Sequence, residues 1–486
     1  MTASSPALIK ARQTIFDYRA IWRWHFYAGL FCAPFVIILA ITGSIYLFKP
    51  QVEAWLDRPY DHLTLTGRPV SAQAQVDAAL KAVPGSRLRS YEVRREADDA
   101  ARVVVGKQGE NILVYVHPET LRILKVINQE DRLMQIDKTI HGELLMGDNG
   151  SILVELAACW AIVMVVTGLY LWWPRQAQGL GGVLYPRLGR GSKLFWRDLH
   201  AVTGVWISSL ALFLLLTGLP WAKVWGDGFK EVRELTGTAV AKQDWSTGRA
   251  GEKAEAKAMD ASGGADEHAG HGMGMDMAGM EMSGMDMAAA PSDARPLLDR
   301  MVATVHPLDL PPPVLITPPS KKKGFNASPD WTARSDTPNR PQRVTLTLDP
   351  ETARVIRTEG FSGRHPIDQV IGYGIAAHEG QLFGLANQLL GVLTAIGLIT
   401  LSISGLVIWW RRRPRGQLGA PPALPEGRVA AGVGVLIVVF GVLLPVLGIS
   451  MIAIALLERL AFRHIPGVRH WLGLRSSEPT AEAHPY

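Results

Sequence analysis

Apolar residues gather along this chain into five long, charge-poor runs, at 26–48, 152–173, 201–221, 389–410 and 429–457. Crossing a hydrocarbon layer of about 30 Å takes roughly 20 helical residues, so each run predicts a membrane-spanning helix. The polar stretches between the runs carry other periods. "LVYVHPETLRILK", ending at Lys125, and "VTLTLDPETARVIR", ending at Arg357, each predict a strand, a Pro-Glu-Thr turn and a second strand. Ahead of each, an amphipathic helix is expected, over 71–83 and 294–305. The expected fold class is therefore a membrane α-helical bundle of five spans with two small α/β modules outside the bilayer.

Charge gives the bundle a direction. The short connection after the second run holds Arg175, Arg187, Arg190, Lys193 and Arg197, and that after the fourth holds Arg411, Arg412, Arg413, Arg415 and Arg428. Lys and Arg in short loops mark the cytoplasmic face. Lys10, Arg12, Arg19 and Arg23 place the N-terminus there too, so both long segments are expected on the outer side of the membrane. Arg459, Arg463 and Arg469 after the fifth run count against an outer C-terminus. The first run is longer than the roughly 7–15 apolar residues of a signal peptide and lacks a small-residue cleavage site, so it is expected to stay as a span. The two cysteines, Cys32 and Cys159, lie inside spans, and the outer segments are expected to fold without disulfides.

The expected organisation is 1–49 N-terminus and first span, 50–140 first outer module, 141–174 second span and 175–199 basic loop. Then come 200–222 third span, 223–385 second outer module, 386–411 fourth span, 412–428 basic loop, 429–458 fifth span and 459–486 tail. The chain also repeats itself. His25 stands seventeen residues before Thr42-Gly43, and His200 seventeen before Thr217-Gly218. His141 stands twenty-six before Thr167-Gly168, and His378 twenty-six before Ser404-Gly405, with Trp172-Trp173 and Trp409-Trp410 in register beyond. Two parallel copies of span, outer module and span, followed by a fifth helix, account for these matches; such copies are usually related by an axis along the membrane normal.

Ionisable residues at membrane depth are costly, so four histidines in duplicated registers call for a function. The topology puts His25 and His200 at the inner starts of their spans, and His141 and His378 at the outer starts of theirs. One pair at each end of a bundle can supply both axial ligands of a haem iron, and an iron so filled transfers electrons rather than binding oxygen. A bare metal ion would lack ligands, since Zn²⁺ takes four. A proton relay and simple interfacial anchoring are the competing readings. Arg23 and Arg197 precede the inner histidines and are candidate partners for haem propionates, though a basic inner flank explains them equally. Glu143 and Gln381 are candidates to bond a ligand's second nitrogen. Gly29, Gly43, Gly168, Gly204, Gly218 and Gly405 read first as helix-packing positions.

The two-copy layout, the openings His-Gly-Glu-Leu-Leu and His-Glu-Gly-Gln-Leu-Phe-Gly, the Thr/Ser-Gly-Leu-x-x-Trp-Trp endings and the Pro-Glu-Thr turns resemble the PepSY-associated transmembrane family. The resemblance covers nearly the whole chain except 245–293. It implies PepSY-like outer modules and two haem b groups, an inner one on His25 and His200 and an outer one on His141 and His378. It also implies a di-haem protein that reduces ferric siderophores or other ferric chelates in the periplasm. No Gly-x-Gly-x-x-Gly turn follows a strand, so the electron donor is expected to be a quinol or a separate reductase. A span of about 20 residues separates its ends by roughly 30 Å, a long hop unless the ligands are set inward.

One segment belongs to neither copy's pattern. Residues 260–290 carry His268, His271, Met273, Met275, Met277, Met280, Met282, Met285 and Met287, with Asp266, Glu267, Asp276, Glu281 and Asp286 among them. Thioethers favour Cu(I), while histidines and acids suit Cu(II). A low-complexity linker is the bland alternative. Three classes remain open: a transmembrane metalloreductase acting on a ferric chelate or on Cu(II), a copper-binding or transport protein without redox chemistry, and a PepSY-type regulatory protein. The expected partners are the lipid bilayer, the electron donor and the metal acceptor, with no nucleic acid.

Overall fold

A computed structural model describes residues 18–174, 179–239, 295–320, 328–421 and 438–474. The insert at 260–290 and the first part of the expected fifth span, 429–437, lie outside the described residues. The helices are α1 Tyr18–Tyr46, α2 Lys49–Asp57, α3 Ala72–Ala82, α4 Leu133–Glu143, α5 Asp148–Trp172 and α6 Ser192–Gly218. They continue with α7 Lys223–Leu235, α8 Leu297–Val305, α9 Pro366–His378, α10 Leu385–Arg412, α11 Pro445–Leu457 and α12 Pro466–Leu472. The strands are β1 Arg87–Glu92, β2 Ala101–Lys107, β3 Glu110–Val116, β4 Ile123–Asn128, β5 Val314–Thr317, β6 Trp331–Ser335, β7 Val344–Leu348 and β8 Val355–Gly360.

Five described helices are long and apolar enough to cross a membrane: Tyr18–Tyr46, Asp148–Trp172, Ser192–Trp221, Leu385–Arg412 and Pro445–Phe462. The chain divides into two compact units, Met1–Ile41 with Asn149–Gly228 and Val392–Tyr486, and Thr42–Asp148 with Phe229–Gly391. The first unit contains most of the spanning helices. Leu444 and Leu447 pack there with Cys159, Ile162 and Leu219, and the Trp160 indole donates to the Ser450 hydroxyl at 3.1 Å, so the fifth span is seated on α5. Ile38 and Ile41 on α1 and Ile449, Ile452 and Leu456 on α11 are exposed, as side chains solvated by lipid must be.

The second unit holds one antiparallel sheet of order β4-β3-β2-β1-β5-β6-β7-β8. Its halves come from the two long polar segments and join where β1 pairs with β5, Tyr91 opposite Ile316. α3 and α8 cover it, with Val76, Ala79, Leu298, Met301 and Val305 set against Val103, Val114, Ile316, Leu346 and Leu348. Each such aliphatic side chain contributes about 1.5–3 kcal/mol when fully buried. Ser71 caps α3 by accepting from Ala74 N at 3.1 Å, and Asp299 of α8 accepts from Ala72 N at 2.6 Å.

The two Pro-Glu-Thr turns are built alike. His117 Nδ1 accepts from the backbone N–H groups of Glu119 and Thr120, both at 3.2 Å, and Asp349 Oδ1 accepts from those of Glu351 and Thr352 at 2.9 and 2.7 Å. Each turn closes on a left-handed residue, Leu121 or Ala353, both with φ 58°. The ladders slip at matching places, Tyr115/Val116 and Thr347/Leu348. These backbone amides hold the Asp349 carboxyl below its ordinary range.

Candidate histidine sites

His25 sits inside α1 and His200 inside α6, well within helices that begin at Tyr18 and Ser192. The starts expected at 26 and 201 are thus too late, because the helices run back through residues of the basic flank. The two imidazoles face each other with centroids 6.4 Å apart and planes at 83°. An atom bound by one nitrogen of each ring needs two metal–nitrogen bonds of about 2 Å plus the half-width of each ring, a spacing of about 6 Å.

Each ring is held through Nδ1. His25 Nδ1 lies 3.0 Å from Thr167 Oγ1 on α5, and that hydroxyl donates its single proton to the Val163 carbonyl at 2.8 Å or to that of Met164 at 3.2 Å. With that proton given to a carbonyl, the hydroxyl accepts from the ring, an arrangement that puts the hydrogen on Nδ1. His200 Nδ1 lies 3.1 Å from the Leu401 carbonyl and 3.2 Å from Ser404 Oγ on α10, and a carbonyl can only accept. An Nδ1–H on each ring satisfies these partners, and in the neutral imidazole that tautomer leaves the lone pair on Nε2, the form that binds a metal. This donor set and spacing suit two axial bonds to a haem iron and are too few for a closed Zn²⁺ site.

His141 and His378 lie in the other unit, and here the geometry departs from the expectation that they open the spans. His141 is in the last turn of α4 and His378 is the last residue of α9, while the spans begin only at Asp148 and Leu385. Left-handed backbone separates the helices: Leu144, Leu145 and Gly147 at φ 50°, 59° and 60° in one case, Gly380 and Gly384 at 73° and 58° in the other. For the two leucines this conformation costs about 1–2 kcal/mol each, and such strain gathers at functional sites. His141 Nδ1 lies 2.9 Å from Thr42 Oγ1 near the end of α1. Asp137, one turn before His141, is buried, and its Oδ2 has no hydrogen-bond partner among the described residues. Loss of water pushes its carboxyl up to about 6.

Sequence reasoning used the Thr-Gly and Ser-Gly pairs only as register marks and did not see them as partners of the rings. Their constant spacing from the histidines was the available signal. A Cβ on Gly168 would stand 3.1 Å from His25 Cε1, one on Gly405 3.3 Å from His200 Cε1, and one on Gly43 3.2 Å from His141 Cε1. These glycines make room for rings. Gly29 and Gly204 keep the expected packing role, beside Met164 and Leu401. Gln381 donates to the carbonyls of Leu47 and Glu379 at 3.0 and 2.9 Å, tying backbone together rather than bonding an imidazole. Arg23 donates to the Pro421 carbonyl and to the Tyr27 hydroxyl. Arg197 and Arg187 both pair with the fully buried Asp198, at 2.9 and 2.7 Å. His268, His271, Met273, Met275, Met277, Met280, Met282, Met285 and Met287 lie outside the described residues.

Two further features have structural explanations. His62, Asp98 and Asp99 bring ligand atoms within 4.8 Å of one another, but the two Asp99 oxygens accept from His62 N and Glu96 N at 3.3 and 3.2 Å and brace the loop. The first tryptophan of each pair fastens a loop: Trp172 donates to the Val183 carbonyl at 3.0 Å and Trp409 to that of Leu418 at 2.8 Å. The second, Trp173 or Trp410, is exposed, as an interfacial side chain should be.

The family profile described as the PepSY-associated TM region matches residues 22–412. No curated protein matches the chain.

Proposed function

The chain belongs to the PepSY-associated TM region family of membrane proteins, and from that premise we propose that it carries electrons across a bacterial inner membrane to a periplasmic metal substrate. His25 and His200 hold an inner haem b through Nε2, and His141 and His378 hold an outer one. Haem held by these histidines would supply a one-electron carrier. The residues around it do the rest. Thr167, Leu401 and Ser404 keep the inner rings in the ligand tautomer, and the apolar spans exclude water from the ligands.

The observation that carries this reading is the His25–His200 pair: centroids 6.4 Å apart and each Nδ1 within hydrogen-bond distance of a group on another helix. The matching turns, slips and registers support two copies of span, PepSY-like outer module and span, related along the membrane normal, with a fifth span added. A quinol or a separate reductase delivers electrons on the cytoplasmic side. The acceptor is a ferric siderophore or other ferric chelate, each Fe(III) taking one electron to become Fe(II).

Purified protein from haem-replete cells should show a Soret band and a dithionite-sensitive α-band; a colourless protein contradicts the reading. The methionine and histidine content of 260–290 favours Cu(II) as a second acceptor, captured by His268 and His271 and released to the thioethers as Cu(I). Deleting 266–290 should then abolish Cu(II) reduction and spare reduction of a ferric chelate.

A further inference from the structure

We infer that Thr42-Gly43, Thr167-Gly168 and Ser404-Gly405 are positioning devices that fix the tautomer and seat of the histidines and thereby set the potential of the iron each one holds. The inference rests on the haem reading above. It stands on three occurrences of one geometry. In each, the hydroxyl meets a ring Nδ1, at 2.9 Å for Thr42 and His141, 3.0 Å for Thr167 and His25, and 3.2 Å for Ser404 and His200. The adjacent glycine leaves the Cε1 edge of the same ring only the room that a hydrogen needs, since any Cβ would lie 3.1–3.3 Å away.

The two residues act together. A helical Ser or Thr hydroxyl bonded back to a carbonyl of its own helix has only its lone pairs left to offer, so it accepts from the ring and excludes the tautomer with Nε2–H. Thr167 makes that bond to Val163 and Ser404 makes it to Leu401, at 2.8 and 3.1 Å. The glycine lets the ring come close enough for the bond; a methyl group would push the ring off the hydroxyl. Accepting a hydrogen bond from Nδ1–H makes Nε2 more basic. A more basic ligand favours ferric over ferrous iron and lowers the potential.

The arrangement also divides labour between helices. His25 and His200, which face each other, come from α1 and α6, while the groups that fix them come from α5 and α10. In sequence terms His25 and His200 are each met by a hydroxyl from the other span of their own half and neighbour a histidine of the other half. The potential of one haem can therefore be altered without touching either of its ligands.

The test uses the full-length protein in detergent with Thr167→Val, Thr42→Val and Ser404→Ala, and with Thr167→Ser as the conservative control. Redox titration should show Thr167→Val moving one haem to higher potential, Ser404→Ala moving that same haem by less because the Leu401 carbonyl still accepts from His200 Nδ1, Thr42→Val moving only the other, and Thr167→Ser restoring the wild-type value. Equal potentials in wild type and Thr167→Val, with both haems bound, would overturn the inference. Ring ¹⁵N shifts of haem-free protein decide the hydroxyl's role independently: Nδ1–H at His25 in wild type and a tautomer mixture in Thr167→Val support it, and an unchanged tautomer overturns it. A wild type that binds no haem sinks the functional reading, and the ¹⁵N result still judges the hydroxyl.

Discussion

The His25–His200 site and the His141 and His378 positions use the same residue, and His25, His200 and His141 share the same Thr-Gly or Ser-Gly device, yet they are built on different supports. The first pair lies within long continuous helices. His141 and His378 instead lie on the last turns of short helices, followed by left-handed backbone, in the unit that also contains the eight-stranded sheet. A ligand in mid-helix has its Cα fixed by hydrogen bonds on both sides. A ligand at a helix C-terminus depends on the turn that follows it. Under the proposed function, the contrast would make the His25–His200 site the more rigid of the two and leave the surroundings of His141 and His378 responsive to their own unit.

Ligand removal should sharpen that contrast most. Replacing His25 or His200 by Ala should remove half the haem and stop all electron flow from the donor. Replacing His141 or His378 should remove the other half while the inner haem stays reducible, so delivery outside stops but absorbance changes at the inner site persist. Optical spectra with a quinol analogue and with dithionite separate the two cases. If either outer replacement also removed the inner haem, the two sites would not be independent supports.

Crowding the rings should have the next largest effect. Gly168→Ala puts a methyl 3.1 Å from His25 Cε1, and overpacking of this kind costs about 1–3 kcal/mol. Haem occupancy at the His25–His200 site and the thermal midpoint should both fall. Gly29→Ala, whose methyl would meet only Met164 Cε at 3.5 Å, should change neither. Equal losses in the two variants would show that the glycines serve helix packing alone.

A smaller effect is expected from Asp137, in the helix that carries His141. Its carboxyl, raised from 3.8 to about 6 by burial, favours the folded state when protonated. That contribution is full below pH about 3.8 and is lost as pH rises through about 6. Infrared difference spectra should show a protonated-carboxyl band that titrates near pH 6 and is absent in Asp137→Asn. A band lost near pH 4 instead would mean that water reaches the group.

Much of the fold is legible in the sequence because its determinants are periodic. The five apolar runs, the alternating strands around Pro-Glu-Thr and the helices at α3 and α8 each follow from patterning over ten residues or more. The helix end after His141 is not legible, since it turns on Leu144 and Leu145 adopting positive φ, which nothing in their side chains favours, whereas that after His378 falls at Gly380, a residue that suits such a turn. Nor does patterning distinguish a glycine that admits a neighbouring helix, such as Gly204, from one that admits a ring, such as Gly168. That difference depends on which helix lies opposite. Thr42 and Thr167 lie 99 and 142 residues along the chain from the rings they meet, His141 and His25, a separation that no local pattern reveals.

The measurement that bears most directly on the central claim is the haem content of the purified full-length protein, read as pyridine haemochrome per polypeptide, beside that of His141→Ala. Two haems of b type in the wild type and one in the variant, with the remaining spectrum still responding to the donor, is the predicted result. A colourless wild type from haem-replete cells, or a haem content unchanged by the substitution, would contradict it.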